Sequence, residues 1–169
     1  ALRGRAPVLE DVYLQNYIKE VFLDSDTAVA VLSGVPALTD ADNILPPDQM
    51  ARTRELVNKI ARSQRVVCHG LMSPDLGAKN RERMQMQAEK LNMRAWKVYT
   101  GQGLGADPKG WWLDDEKVTY SSLEYSRKLK IKNICTHKGL ALGLFDEDHC
   151  HPRDLVKVSK DFPDMSFLV

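Results

Sequence analysis

The chain lacks most of the features that announce a function. Its 24 basic and 23 acidic side chains leave a formal net charge of +1, so no electrostatic case exists for nucleic acid or an anionic membrane as a partner. No apolar run approaches the roughly 20 residues that a membrane-spanning helix needs. Low-complexity segments, internal repeats and linker-like stretches are missing, so residues 1–169 read as a single domain, long enough for a sizeable core. Three cysteines, Cys68, Cys135 and Cys150, are an odd number without C-x-x-C spacing. They read as small buried hydrophobes in a reducing compartment, and a cytoplasmic location is the expectation. An opening methionine is also missing. The chain starts at Ala1 and stops on Met165-Ser166-Phe167-Leu168-Val169, a strand pattern without a polar terminator. Both ends lead to the expectation of a portion of a longer polypeptide, whose targeting segment could precede Ala1.

What is present is alternation. Leu14, Ile18 and Val21 repeat at helical spacing and predict a helix over 8–23. The continuous apolar run 27–33, closed by Gly34 and Pro36, reads as a strand buried on both faces. Pro46 and Pro47 suit the opening of a helix that carries Leu56, Val57 and Ile60 and stops near Ser63. A second strand is expected over 65–71. Asn80 is a candidate N-cap for a helix whose inner face bears Met84, Ala88 and Leu91. A third strand, 95–99, leads into a long loop that includes residues 101–112. Val118, Ser122, Tyr125 and Leu129 then share a helical face, and 133–137 is the fourth strand. Pro152 opens a helix with Leu155, Val158 and Phe162, ahead of a fifth strand over 165–169. Strands alternating with helices imply an α/β fold with a parallel sheet. Two architectures compete: an open doubly wound sheet, and part of a (β/α)8 TIM barrel, whose full form takes about 250 residues.

Both architectures keep chemistry at the carboxyl ends of strands, and three strands carry an out-of-place polar group there. His137 ends its strand ahead of Lys138-Gly139. It reads either as a structural histidine bonded to a loop carbonyl or as a metal ligand on a stiff support. Lys97 interrupts an apolar strand. It is either a snorkelling or ion-paired lysine or a pocket cation, because a buried ammonium without a partner is costly. A neutral lysine amine can also take up carbon dioxide and become an anionic carbamate ligand. His69, followed by Gly70, is a rim-filling residue or a substrate contact.

Other motifs are discounted. Gly101-Gln102-Gly103-Leu104-Gly105 lacks the full G-x-G-x-x-G spacing, and Ala106-Asp107-Pro108 opens no helix that would offer amides to a phosphate. A mobile loop over the strand ends is expected instead. His149-Cys150-His151 lies in a polar stretch before a helix and reads as a surface loop with a helix cap. Met84, Met86 and Met93 read as core and rim filler. Trp111 and Trp112 line an entrance or pin the loop.

The stretches FLDSDTAVAVLSGVP (22–36), AWKVYTG (95–101), GWWLDDE (110–116), NICTHKGL (133–140) and HPRDLVKVSKDFPDMSFLV (151–169), in this order and spacing, resemble the amidohydrolase superfamily. The similarity is to its amidohydrolase-related branch of metal-dependent hydrolases and of decarboxylases of the aminocarboxymuconate semialdehyde and resorcylate type. It covers nearly the whole chain from about Val8. The resemblance implies a partial (β/α)8 barrel, approximately strands two to six, with a divalent metal, most often zinc, at the strand ends. His137 matches the metal-ligand histidine of the fifth strand. Lys97 falls where several relatives carry a carboxylated, metal-bridging lysine. The implied activity is hydrolysis of an ester, lactone or amide by metal-activated water, with decarboxylation of a small carboxylic acid as the alternative. His69, Tyr99 and Lys138 are the candidate substrate contacts, and a homo-oligomer is compatible with the reading. The chain departs from the family pattern in lacking the H-x-H pair of the first strand, the sixth-strand histidine and the eighth-strand aspartate. A non-catalytic scaffold with a degenerate barrel and an open-sheet nucleotide-binding protein are the rival expectations.

Overall fold

The computed structural model describes residues 13–37, 42–105, 107–141, 143 and 145–169. Helix α1 (Leu14–Ile18) runs into a π-helical turn (Lys19–Leu23); the first part of the helix expected over 8–23 lies outside the described residues. Next come β1 (Ala30–Leu32), α2 (Pro47–Ala61), β2 (Val66–Cys68), β3 (Gly70–Leu71), α3 (Ala78–Glu89) and β4 (Trp96–Tyr99). They are followed by α4 (Tyr120–Lys128), β5 (Asn133–His137), α5 (Glu147–Cys150), α6 (Leu155–Asp161) and β6 (Ser166–Leu168). The fold is α/β, and every strand pairing among the described residues is parallel.

The strands lie side by side in chain order. β1 pairs with β2, and β3, β4, β5 and β6 follow one another. The stretch expected as one strand over 65–71 is one extended run that changes neighbours at His69. The His69 N–H donates to the Leu32 carbonyl at 3.0 Å, and the Gly70 N–H donates to the Ala95 carbonyl at 2.7 Å. Its first half therefore pairs with β1 and its second half with β4, a stagger between neighbouring pairs.

One face of this sheet carries the core. Met50, Ala51 and Val57 of α2 pack with Val66 and Cys68 of β2. Met84 of α3, Leu123 of α4 and Val158 of α6 pack with Trp96, Val98 and Ile134. Period-two alternation then sends Val67, Lys97, Tyr99, Cys135 and His137 to the opposite face, where each is only partly buried. The apolar run in β1 was expected to be buried on both faces. Instead Val29 and Val31 are about half exposed, at 52% and 51%. Among the described residues β1 pairs on one edge only and α2 covers one face, so half of its side chains meet no described layer.

A second correction concerns Asn80, which is not a cap. Gly77 precedes the helix at φ +55°, and Asn80 is the third residue of the helix, 1% exposed. Its Oδ1 accepts from the Ser73 N–H at 2.8 Å, and its Nδ2 donates to Ser122 Oγ at 2.9 Å. The short polar side chain pins α3 to α4 and to the loop after β3. Gln87 acts similarly, exchanging two hydrogen bonds with the Leu71 backbone. These buried amides are satisfied, and satisfied networks fix one arrangement of helices over strands.

At the surface, Asp164 joins α4 to the turn before β6. It accepts from Arg127 Nε at 3.0 Å and pairs with Lys132 at 3.1 Å. The Arg127 and Lys132 hydrogen bonds hold its carboxyl down to about 2. A depressed carboxylate stabilises the fold above its ordinary pKa, and that contribution disappears as pH falls through the folded value. Asp164→Asn should therefore lower the urea midpoint by a constant amount above about pH 5, with the difference closing between about pH 4 and pH 2. Parallel urea titrations across that range check this.

Candidate functional site

The half-open face gathers polar groups toward the carboxyl ends of its strands. Register places Lys97 beside Cys135 and Tyr99 beside His137. Paired residues of parallel strands point to the same side, so these four share one patch. Val67, on the same side of β2, leads to His69, and β1 leads to Ser33.

His69 is the hub of this patch. Its Nδ1 lies 3.1 Å from Ser33 Oγ, and its Nε2 lies 3.3 Å from Cys135 Sγ. The imidazole thus reaches across the face from the end of β1 to the middle of β5. Burial pushes its pKa down, and the neighbouring Lys97 ammonium pushes it further the same way. Burial also lowers the Lys97 pKa, with the Cys135 sulfur acting in opposition. Burial raises the Cys135 thiol pKa, and Lys97 pulls it partly back. Lys97 Nζ stands 5.1 Å from the centre of the Tyr99 ring, a cation–π distance.

His137 belongs to an aromatic group. Its ring stacks on Tyr99 at 5.3 Å, and Phe145 meets both rings edge-on at 5.5 and 5.7 Å. Its Nε2 is hydrogen-bonded to the Leu140 carbonyl. An imidazole that donates there keeps a lone pair on Nδ1. Both readings of His137 are thus compatible with its surroundings: one nitrogen holds a loop, and the other has no hydrogen-bond partner among the described residues.

Lys138 points elsewhere. Its side chain is fully buried against that of Asp154, with Nζ 2.6 Å from Asp154 Oδ2. It also donates to the His149 carbonyl at 2.8 Å and lies 5.4 Å from the centre of the Trp112 ring. The expected substrate contact is therefore a structural cation on the other side of the strand. The reason is the same alternation that gave His137 its place: adjacent residues of an extended chain face opposite ways.

The glycine loop was expected to be mobile. Asp75, in the turn after β3, ties it down, with Oδ2 accepting from the N–H groups of Leu104 and Gly105 at 2.5 and 2.6 Å. Gly110 bends back at φ +126°, where a Cβ would come within 2.1 Å of the Thr100 carbonyl oxygen. Trp111 and Leu113 are then buried, so the loop is pinned by its aromatic side chains. Trp112 stacks on His149 and Arg153. His149 and His151 take part in helix capping, as expected: Asp146 caps α5 through the His149 N–H, and His151 accepts from the Arg153 N–H. His149 is more than a surface residue, however, because its ring packs on Trp112 and its Nδ1 lies 2.8 Å from Asp146.

No family model matches the chain, and no curated protein matches it. The functional reading therefore stands on the site itself.

Reasoning from the sequence missed Ser33 and Cys135. For Cys135 a signal existed, because it alternates with His137 in the same way that Lys97 alternates with Tyr99. Ser33 carried none: its role requires the β1–β2 register. A cavity of about 500 Å³ opens at Ser33, lined also by Asn43, Ile44, Gln102 and Leu104. The Asn43 Nδ2 is buried there without a hydrogen-bond partner among the described residues. No helix among the described residues is long and apolar enough to cross a membrane.

Proposed function

We propose that the chain forms an arc of a (β/α)8 barrel, approximately strands two to six, belonging to a hydrolase of the amidohydrolase type that acts on a small ester, lactone or amide. The observation that carries this reading is the order of the sheet. Parallel strands follow one another in chain order with their helices on one face, and His69, Lys97, Tyr99 and His137 meet on the other. A doubly wound sheet reverses its strand order and carries helices on both faces. A barrel does neither, and its neighbouring strands are staggered, as β1 and β4 are where they pair with successive halves of the run 66–71.

The metal implied by the resemblance finds few ligands here. Among the described residues no three His, Cys, Asp or Glu side chains converge, leaving His137 and, as a carbamate, Lys97. These residues do not by themselves fit a metal centre. Their own chemistry is recognition. Lys97 offers a cation to a substrate carboxylate at a half-buried site, where screening is weak. His69 and Tyr99 flank it. A carboxylate held in this way also favours a decarboxylase of the same superfamily as the second reading.

Native-length protein should contain stoichiometric zinc and hydrolyse members of an ester, lactone and amide panel. His137→Ala should remove the metal and cut turnover by at least about 100-fold. Release of carbon dioxide from aromatic or unsaturated acids, without hydrolysis of the panel, would favour the decarboxylase. A folded, metal-free and inert native protein would replace both with a binding or scaffolding role.

A further inference from the structure

We propose that Cys135, His69 and Lys97 form a covalent site for small electrophilic carboxylates. Cys135 is the nucleophile and His69 its base, Ser33 positions the base, and Lys97 anchors the carboxylate. The inference does not rest on the hydrolase reading and requires no metal.

Three features of the face carry it. The first is the pairing of a thiol with an imidazole at 3.3 Å between Sγ and Nε2, the reach a general base needs. The second is orientation. The other imidazole nitrogen lies 3.1 Å from Ser33 Oγ. If Nδ1–H donates to that hydroxyl, the Nε2 lone pair faces the thiol, the nucleophile–base–orienter arrangement of covalent enzymes. The third is charge. Lys97 sits between the strands bearing His69 and Cys135, in register with Cys135. Among the described residues no imidazole is hydrogen-bonded to Cys68 or Cys150. They are 5% and 1% exposed, whereas Cys135 is only partly buried. The cavity at Ser33 provides room for the remainder of a ligand.

The step balances without an oxidant. The Cys135 thiol proton passes to His69 Nε2 as the sulfur forms a bond to carbon. With an α,β-unsaturated acid the C=C electron pair moves to the α-carbon, which then takes the proton back from His69, leaving a thioether. With an α-halo acid the halide departs with the bonding pair.

Iodoacetate and iodoacetamide test this on the intact protein, because they differ only in the charge that Lys97 should recognise. Carboxymethylation and carbamidomethylation at each cysteine are followed by peptide mass spectrometry, with glutathione as the reference thiol. Relative to glutathione, Cys135 should prefer iodoacetate by about tenfold, while Cys68 and Cys150 stay unmodified. Lys97→Met should return the preference to the glutathione value. His69→Gln should slow both reagents equally and leave the preference intact. A wild-type preference equal to that of glutathione overturns the proposal without any variant. A preference that survives Lys97→Met, or rates indifferent to His69→Gln, overturns it as well.

Discussion

Asp154→Ala should cost about 3–5 kcal/mol of stability, the loss expected when one partner of a buried ion pair is removed. Neither the Lys138 nor the Asp154 side chain has any exposed surface. The Asp154 Oδ2 atom accepts from Lys138 Nζ at 2.6 Å and from the Leu113 N–H at 2.9 Å. Deleting the carboxylate leaves an ammonium without its counter-charge and a backbone donor without its acceptor. Water cannot readily reach either, and each orphan carries its own desolvation cost. Burial already lowers the Lys138 pKa, and Asp154 is the main influence opposing that. Removing Asp154 should therefore lower it further and favour the neutral amine. The double substitution Lys138→Met, Asp154→Leu should recover most of the loss, because an apolar pair has no charge to strand. Chemical denaturation of the wild type, Lys138→Met, Asp154→Leu and the double variant forms a cycle that isolates the coupling. A single-variant loss below about 1 kcal/mol would show that the pair is solvated.

Trp96→Ala is expected to be of similar severity, about 3–5 kcal/mol. Trp96 is fully buried at the head of β4, its ring among Met72, Met84, Leu123 and Ile134 in the same cluster. Two neighbours are shaped around it. A Cβ on Gly70 would approach the indole to 2.5 Å, so glycine on the adjacent strand makes room for the ring. The indole Nε1–H donates to Ser126 Oγ at 2.7 Å, and that hydroxyl donates in turn to the Ile131 carbonyl. Trp96→Phe keeps most of the apolar area but loses this hydrogen bond, and should cost about 1–3 kcal/mol. Gly70→Ala should be destabilising in the wild type and milder in the Trp96→Phe background, where the ring is smaller. Urea denaturation followed by circular dichroism checks the series. Additive losses for Gly70 and Trp96 would contradict the close fit.

Much of the α/β scaffold was legible because its signals are local. Pro46 and Pro47 opened α2 because a ring-fixed φ suits the first turn of a helix. The strand over 95–99 was legible as an apolar run, and its alternation accounts for Lys97, which shares the partly buried face with Tyr99 while Trp96 and Val98 are buried. Asn80 was misread because a cap and a buried cross-link use the same side chain. Only the position of Ser122 on a neighbouring helix distinguishes them. Lys138 was misread because its place next to His137 in sequence suggested a shared site, whereas pleating sends neighbours apart. The glycine loop was read as mobile because the carboxylate that holds it, Asp75, lies about 30 residues earlier.

The sequence by itself determined the order of strands and helices, the half-polar strand ends and the placement of His137 at one of them. Each follows from period, propensity and turn chemistry within a few residues. Tertiary structure decided which polar groups meet. It brought Ser33, His69 and Cys135 into one hydrogen-bonded line across three strands, set Lys97 beside them, and turned Lys138 away to Asp154. Those meetings depend on strand register and on the side of the sheet that the helices cover. A shift of one residue in either would exchange the two faces, so no local pattern could have announced them.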